Sequence, residues 1–191
     1  VPEGVIPDMA EASLPILTPS LRIRHIVVGE AARMMELNGE PTTRRWLPSH
    51  VYPDLDTAVE RMRYLVSCYA SPGDPRVGPY VLAVDHLASG KLLGHVGFSD
   101  FDDDVEVSYA IAEDSRGFGY GAESLLHACR WAAARFGLQS FIAITESANA
   151  PSLRTLEGAG FVHEEDKVMT FQGTPQAVSQ YRWRSAGGAE R

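Results

Sequence analysis

Residues 105–161 read VEVSYAIAEDSRGFGYGAESLLHACRWAAARFGLQSFIAITESANAPSLRTLEGAGF, and the fold turns on them. Their centre, Arg116-Gly117-Phe118-Gly119-Tyr120-Gly121-Ala122, lies between an alternating apolar strand and an amphipathic helix. Three glycines in five residues let the backbone approach a ligand closely and take up positive φ. The helix that opens next presents unpaired N–H groups and the positive end of its dipole. Strand, glycine loop and helix N-terminus together make a holder for a phosphate or pyrophosphate.

Outward from this centre the pattern stays regular. Ala122, Leu125, Leu126, Cys129, Ala133 and Phe136 recur at helical spacing over 119–136, and Gly137 closes the helix. Phe141–Ile144 reads as a buried strand, 149–158 as a short helix, 161–171 as a strand and Gln180–Trp183 as a last strand. Upstream, 105–112 follows an acidic turn at 101–104. Tyr80–Asp85 and Lys91–Phe98 form two strands joined by a hairpin-like link. A helix over about 54–70 carries Leu55, Val59, Met62, Val66 and Tyr69 on one face, with Thr57/Glu60 or an upstream Asp as cap. Gly29–Leu37 makes a shorter helix, Trp46-Leu47-Pro48 a loop, and Leu21–Val27 a half-exposed strand. The order β-α-α-β-β-β-α-β-α-β-β is that of an α/β domain with a mixed sheet. Four prolines make residues 1–19 an irregular arm, 20–184 form one domain, and 185–191 are a polar tail.

Composition narrows the function classes. With 191 residues, 45% of them hydrophobic, the chain suits one domain with a full core. A net charge of −8, from 25 acidic and 17 basic residues, argues against a nucleic-acid partner and leans weakly towards cationic ones. No apolar run approaches the roughly 20 residues of a membrane helix. The start of the chain is acidic, unlike a secretory signal. Cys68 and Cys129 lie in no Cys/His cluster, and His25, His50, His86, His127 and His163 show no metal spacing. The expectation is a cytoplasmic protein with no metal and no membrane partner, and with a homodimer as the default assembly.

Three phosphate ligands compete for the glycine loop. A P-loop is excluded because no Gly-Lys-Ser/Thr follows. Gly117-x-Gly119-x-x-Ala122 meets the loose dinucleotide pattern, but residues 112–116 separate it from its strand and one short helix remains after 146. A NAD(P)-binding oxidoreductase therefore ranks behind coenzyme A. Arg116-x-x-Gly119-x-Gly121 at a helix start resembles the main motif of the GNAT superfamily of acyl-CoA-dependent N-acetyltransferases. Asn149-x-x-Ser152 followed by Glu157-x-x-Gly160-Phe161 resembles a later family element. Weaker matches at 18–24, 94–98 and 106–111 resemble the branch that acetylates N-termini of ribosomal proteins, and the likeness spans roughly 17–184.

The resemblance implies a GNAT-like α/β fold: a mixed, mostly antiparallel sheet with a splayed central strand pair and helices on both faces. It implies acetyl-CoA as cosubstrate and an amine-bearing small molecule or peptide N-terminus as acceptor. The backbone of Arg116, Gly117, Phe118, Gly119, Tyr120, Gly121 and Ala122 would hold the pyrophosphate. Amides near Ile111 and Ala112 would pair with the pantetheine arm, and a strand amide would stabilise the developing oxyanion. Glu106, opposite in face to Val105 and Val107, is the candidate base, against a plain exposed carboxylate. The family's usual acid is a Tyr seven positions after the Asn, where this chain has Leu156. Ser152 is the substitute acid, against a simple helix-start serine, and Asn149 a pantetheine or loop-ordering residue, against a cap. Leu156 also leaves room for a non-catalytic acyl-CoA-binding module. His95 and Tyr109 read first as structural and Cys129 as packing, while Trp46 and Tyr52 are positional candidates for the acceptor side.

Overall fold

The computed structural model describes residues 13–171 and 173–185. Among these residues eight strands form a single sheet: β1 (Ile16–Leu17), β2 (Leu21–His25), β3 (Tyr80–His86), β4 (Leu92–Phe101), β5 (Asp104–Ile111), β6 (Ser140–Glu146), β7 (Val162–Phe171) and β8 (Thr174–Arg184). Their spatial order is β1-β2-β3-β4-β5-β6-β8-β7. Every neighbouring pair is antiparallel except β5 and β6. Among the described residues five α-helices accompany the sheet: α1 (Ala31–Asn38), α2 (Pro41–Trp46), α3 (Leu55–Cys68), α4 (Tyr120–Phe136) and α5 (Ala150–Gly158).

Strand alternation gives the sheet two faces. Leu21, Leu82, Val84, Val96, Phe98, Val105 and Val107 pack against Leu125 and Cys129 of α4 and Leu156 of α5. Ala83, Leu92 and Ala112 face the other way, onto Met34 and Leu37 of α1 and Met62 and Leu65 of α3. Helices on both faces, a mostly antiparallel sheet and one parallel pair match the expected fold class.

The local chemistry of the elements follows the sequence closely. Asp54 accepts from the Thr57 amide at 2.8 Å and caps α3, so the upstream Asp fills the role and not the Thr57/Glu60 pair. Gly137 ends α4 with φ 67°. Asp102, φ 50°, turns the tight link from β4 to β5. Corrections fall where tertiary contacts decide. Leu55 is exposed and the buried line of α3 is Ala58, Met62, Leu65 and Cys68, one step round from the expected stripe. Trp46 ends α2, where Pro41 supplies a first-turn residue, and is not in a loop. Residues 16–17 of the expected arm add a short strand to β2. Thr18 Oγ1 and the Ser20 amide both donate to Glu123 in the first turn of α4. The rest of the expected arm, 1–12, and all of the tail beyond Ser185 lie outside the described residues. The last strand runs over eleven residues and inserts between β6 and β7.

Candidate functional site

β5 and β6 touch in register at one pair only, Glu106 and Ile142. Beyond it the strands part. The Ala112 amide donates to Leu93 O at 2.8 Å. In an antiparallel ladder the hydrogen-bonded residues alternate, so even-numbered residues of β5 bond to β4 and the odd ones face the gap. The backbone groups of Tyr109 and Ile111 thus point where a further strand would lie. The gap widens into a cleft of about 840 Å³, lined by Glu106 to Ile111 of β5 and Ala143 to Glu146 of β6. It also takes in the glycine loop, Asn149 and Ser152 of the α5 start, and Trp46 and His50 from the α2 region.

The three glycines act in different ways. Gly117 and Gly119 have φ 83° and 84°, a region that an L side chain rarely adopts. Gly121 is packed: a Cβ there would lie 3.0 Å from Thr155 Cγ2 and 3.4 Å from Tyr109 Cε2. Gly119 is the N-cap of α4 and has no side chain to satisfy the first-turn amides, which open towards the cleft. Arg116 turns its side chain back: Nε donates to Ile111 O at 2.8 Å, and Nη2 lies 3.5 Å from Thr43 Oγ1 of α2. Glu40 accepts from the Glu113 amide and Glu113 from the Thr42 amide, each at 2.8 Å. The loop is therefore tied to β5 and to α2 before any ligand is considered. Phe118 is 69% exposed, stacks on Tyr120 and does not line the cleft.

Of the expected cofactor residues, Ile111, Arg116, Gly117, Gly119, Tyr120, Gly121, Ala122, Asn149 and Ser152 line one cleft. Ala112 is corrected. It is fully buried and its amide is committed to β4, so it has no donor left for a pantetheine arm.

Glu106 and the α5 start occupy opposite sides of the parted strands. Glu106 shares its face with Ser108 and stands opposite Ser99 of β4, on the α1–α3 side. Burial pushes its carboxyl up to about 7. Ser152 lies on the α4–α5 side, where its amide donates to Asn149 Oδ1 at 3.3 Å. Asn149 is thus the cap of α5, as well as a cleft residue. Tyr109 Oη donates to Ser152 Oγ at 3.3 Å, and burial raises the phenol's pKa. Leu156 belongs to the core and cannot act as an acid. Cys129 is fully buried with its thiol pushed well up by burial, so the cleft has no thiol nucleophile from it.

Sequence reasoning missed the Tyr109–Ser152 contact, which joins residues 43 apart. Odd-numbered alternation with Val107 and Ile111 could have placed the ring on the α4–α5 side. A second cavity of about 150 Å³ adjoins the cleft on the α1–α3 side, lined by Asn38, His50, Tyr52, Arg61, His95 and Ser108 among others. Trp46 borders the main cleft and Tyr52 this side pocket, both on the side proposed for an acceptor.

The sequence model of the acetyltransferase (GNAT) domain family matches residues 20–162. No curated protein matches the chain. Among solved structures the chain is similar to the GNAT-family acetyltransferase from Bacillus anthracis, with 17% identity and TM-score 0.74 over 88% of this chain and 97% of that one. It is also similar to a ribosomal-protein alanine acetyltransferase from Vibrio fischeri, with 14% identity and TM-score 0.74 over 91% and 98%. A spermidine N-acetyltransferase from Vibrio cholerae, in complex with CoA and spermine, gives 19% identity and TM-score 0.72 over 87% and 96%.

Proposed function

The chain belongs to the acetyltransferase (GNAT) family and is an acetyl-CoA-dependent acyltransferase; from that premise we propose that it acetylates a primary amine, on a peptide N-terminus or a small molecule, by direct attack on the thioester. Its relatives in fold act on both kinds of acceptor, as their names state. The weaker motifs at 18–24, 94–98 and 106–111 favour the ribosomal-protein N-terminal branch. A cytoplasmic setting fits its two buried, unpaired thiols.

One observation carries the reading. The gap between β5 and β6 opens to both faces, with the glycine loop and α5 start on one and Glu106 on the other. The amides of the glycine loop and the first turn of α4 suit the pyrophosphate. The odd-numbered amides of β5 suit the extended arm and, at its end, the oxyanion. From the opposite face, Glu106 takes the proton of the incoming amine, directly or through water. The nitrogen forms its bond to the acetyl carbon as the carbon–sulfur bond breaks. Ser152, hydrogen-bonded by Tyr109, gives a proton to the departing thiolate. A carboxyl near 7 is half ionised at neutral pH, close to the best value for a base working there.

A dinucleotide reading loses ground on topology. Among the described residues the one parallel pair is β5 with β6, and no doubly wound set of strands surrounds the loop. Calorimetric titration with acetyl-CoA, CoA and NAD(P) in separate runs tests the choice. One-to-one binding of acetyl-CoA with no heat from NAD(P) is expected, followed by thiol release in an amine screen. Binding of NAD(P) without CoA would sink the proposal. Tight acetyl-CoA binding with no turnover on any amine would leave a binding module.

A further inference from the structure

The side pocket beside the cleft carries a charge of its own, which no described residue answers. It continues from the cleft along the α1–α3 face of the sheet: Ser99 and Ser108 line both cavities, Glu106 only the cleft, and Gly97 only the pocket. Cross-strand pairs set Ser99 opposite Glu106 and Gly97 opposite Ser108, so the pocket opens two residues, roughly 6.6 Å, along the strands from Glu106. Gly97 makes the space: a Cβ there would lie 3.3 Å from Ser108 Oγ and from Val81 Cγ2. At about 150 Å³ the pocket holds a small polar group on a short stem and no long chain.

The charge is Arg61 of α3, which lines the pocket and is exposed, so it stays hydrated while unpaired. Its helical neighbours three and four residues away are Thr57, Ala58, Tyr64 and Leu65, so no carboxylate shares its side of the helix. The guanidinium carbon stands over the Tyr64 ring, 5.0 Å from its centroid, a contact that leaves the N–H edge free to donate. Arg61 has no ion pair among the described residues, and no Asp or Glu lines the pocket. Its charge is felt at two points of the pocket wall. Burial and then Arg61 lower the pKa of His50; burial raises that of the Tyr52 phenol, and Arg61 opposes the rise. His95 is held neutral by burial, with a pKa of about 3. Arg61 is thus the one lasting charge on the wall among the described residues.

We infer that the side pocket seats a carboxylate of the acceptor, with the Arg61 guanidinium as its counter-charge. The inference rests on the amine-acetylating reading and narrows its substrate class to amines that carry a carboxylate a few carbons away, over polyamines. Such an acceptor spans the two rungs: its amine lies at Glu106, and its carboxylate reaches past Ser108 to Arg61. A planar guanidinium meets a carboxylate through two parallel N–H···O bonds, which sets orientation as well as affinity. A second ammonium group would meet a like charge there. The net charge of −8 is spread over the whole chain. At physiological salt, screening over roughly 8 Å leaves the local charge to decide.

The test uses γ-aminobutyrate, γ-aminobutyramide and putrescine, amines of one length whose far group is anionic, neutral or cationic. Their binding to the CoA-loaded protein is measured by calorimetry, apart from turnover. γ-Aminobutyrate is expected to bind at least about tenfold more tightly than its amide, with putrescine weaker than either. In Arg61→Ala the ratio of acid to amide falls to near one, and in Arg61→Glu putrescine becomes the tightest of the three. Arg63→Ala removes the same charge from an exposed residue of the same helix that lines neither cavity, and it leaves the ratio unchanged. On the unmodified protein the preference shrinks as sodium chloride is added, which needs no variant to fold. Equal binding of acid and amide, binding of none, a preference for putrescine, or a ratio that survives Arg61→Ala or added salt would overturn the inference. So would a ratio lost equally in Arg63→Ala. Discrimination in binding without acetyl transfer would keep the carboxylate seat and remove the amine-acetylating reading. Transfer to all three at equal efficiency would do the reverse.

Discussion

A carboxyl group buried in a cleft is a better base and a poorer contributor to stability, and Glu106 is both. Its folded pKa of about 7 lies above the unfolded value, so the native state holds the extra proton between about pH 4.5 and 7. Stability therefore falls as pH rises through that window and stays reduced above it. Glu106→Gln is expected to raise stability at pH 8 by about 2 kcal/mol, allowing for solvent in the cleft. That corresponds to about 4–8 °C in melting temperature, shrinking to nothing below about pH 4.5. The same variant should lower kcat/KM about 100-fold and remove the rise in rate centred near pH 7. On the other side of the gap, Ser152→Ala and Tyr109→Phe should each lower kcat about tenfold. On the proposed role the two hydroxyls act as one unit, so the double variant should fall little further, and a rate falling as the product of the two would refute the pairing. Strand alternation with its valine neighbours made Glu106 legible in the sequence. Ser152 came from a family pattern. Tyr109 stayed hidden because its meaning lies in a contact with a distant helix start. Ala112 was misread because which amides of β5 face the gap depends on ladder parity, and no side chain reports that.

At the level of elements, the glycine loop is tied down by the side chain of Arg116, a residue that also lines the cleft. Arg116 joins Ile111 O on β5 and lies near Thr43 on α2, so the loop is held by its own chain. Arg116→Ala is expected to weaken CoA binding about tenfold and to speed hydrogen exchange at the amides of 116–119, measured by calorimetry and mass spectrometry. Arg116→Lys should restore little, since one ammonium cannot reproduce a fork reaching two elements. The strand, loop and helix sequence was visible in 105–136 from periodicity and glycines alone. The reasons behind those glycines were not: two turn the chain at positive φ, while Gly121 makes room for Thr155 and Tyr109. The stripe of α3 was off by one step: Leu55, at the very start of its helix, is exposed, and Ala58, Met62, Leu65 and Cys68 take the buried face.

Across the whole molecule, one continuous sheet carries a cleft that interrupts it, and stability has to come from the flanks. On the far flank Asp85, fully buried, accepts from Arg22 Nη2 at 2.7 Å and Arg24 Nε at 2.8 Å, binding β2 to β3. Asp85→Ala leaves two guanidinium groups without their buried partner and is expected to cost about 3 kcal/mol in urea unfolding, with KM for acetyl-CoA unchanged. On the near flank Arg182 of β8 holds Asp104 at the start of β5 at 2.6 Å, across the gap that a single ladder pair bridges. Apart from β1 and α2, the order of the sheet strands and main helices could be read along the chain. The insertion of β8 between β6 and β7 could not, because strand order in space depends on which edges pair after long separations. The parted strands also govern the order of events in turnover. The cleft is lined from both faces of the sheet, and both cysteines of the chain are buried away from it. On the proposed direct attack, both molecules are aboard together before anything leaves. Double-reciprocal plots at several fixed acceptor concentrations should intersect, and free CoA should not appear in a burst when acetyl-CoA is supplied alone.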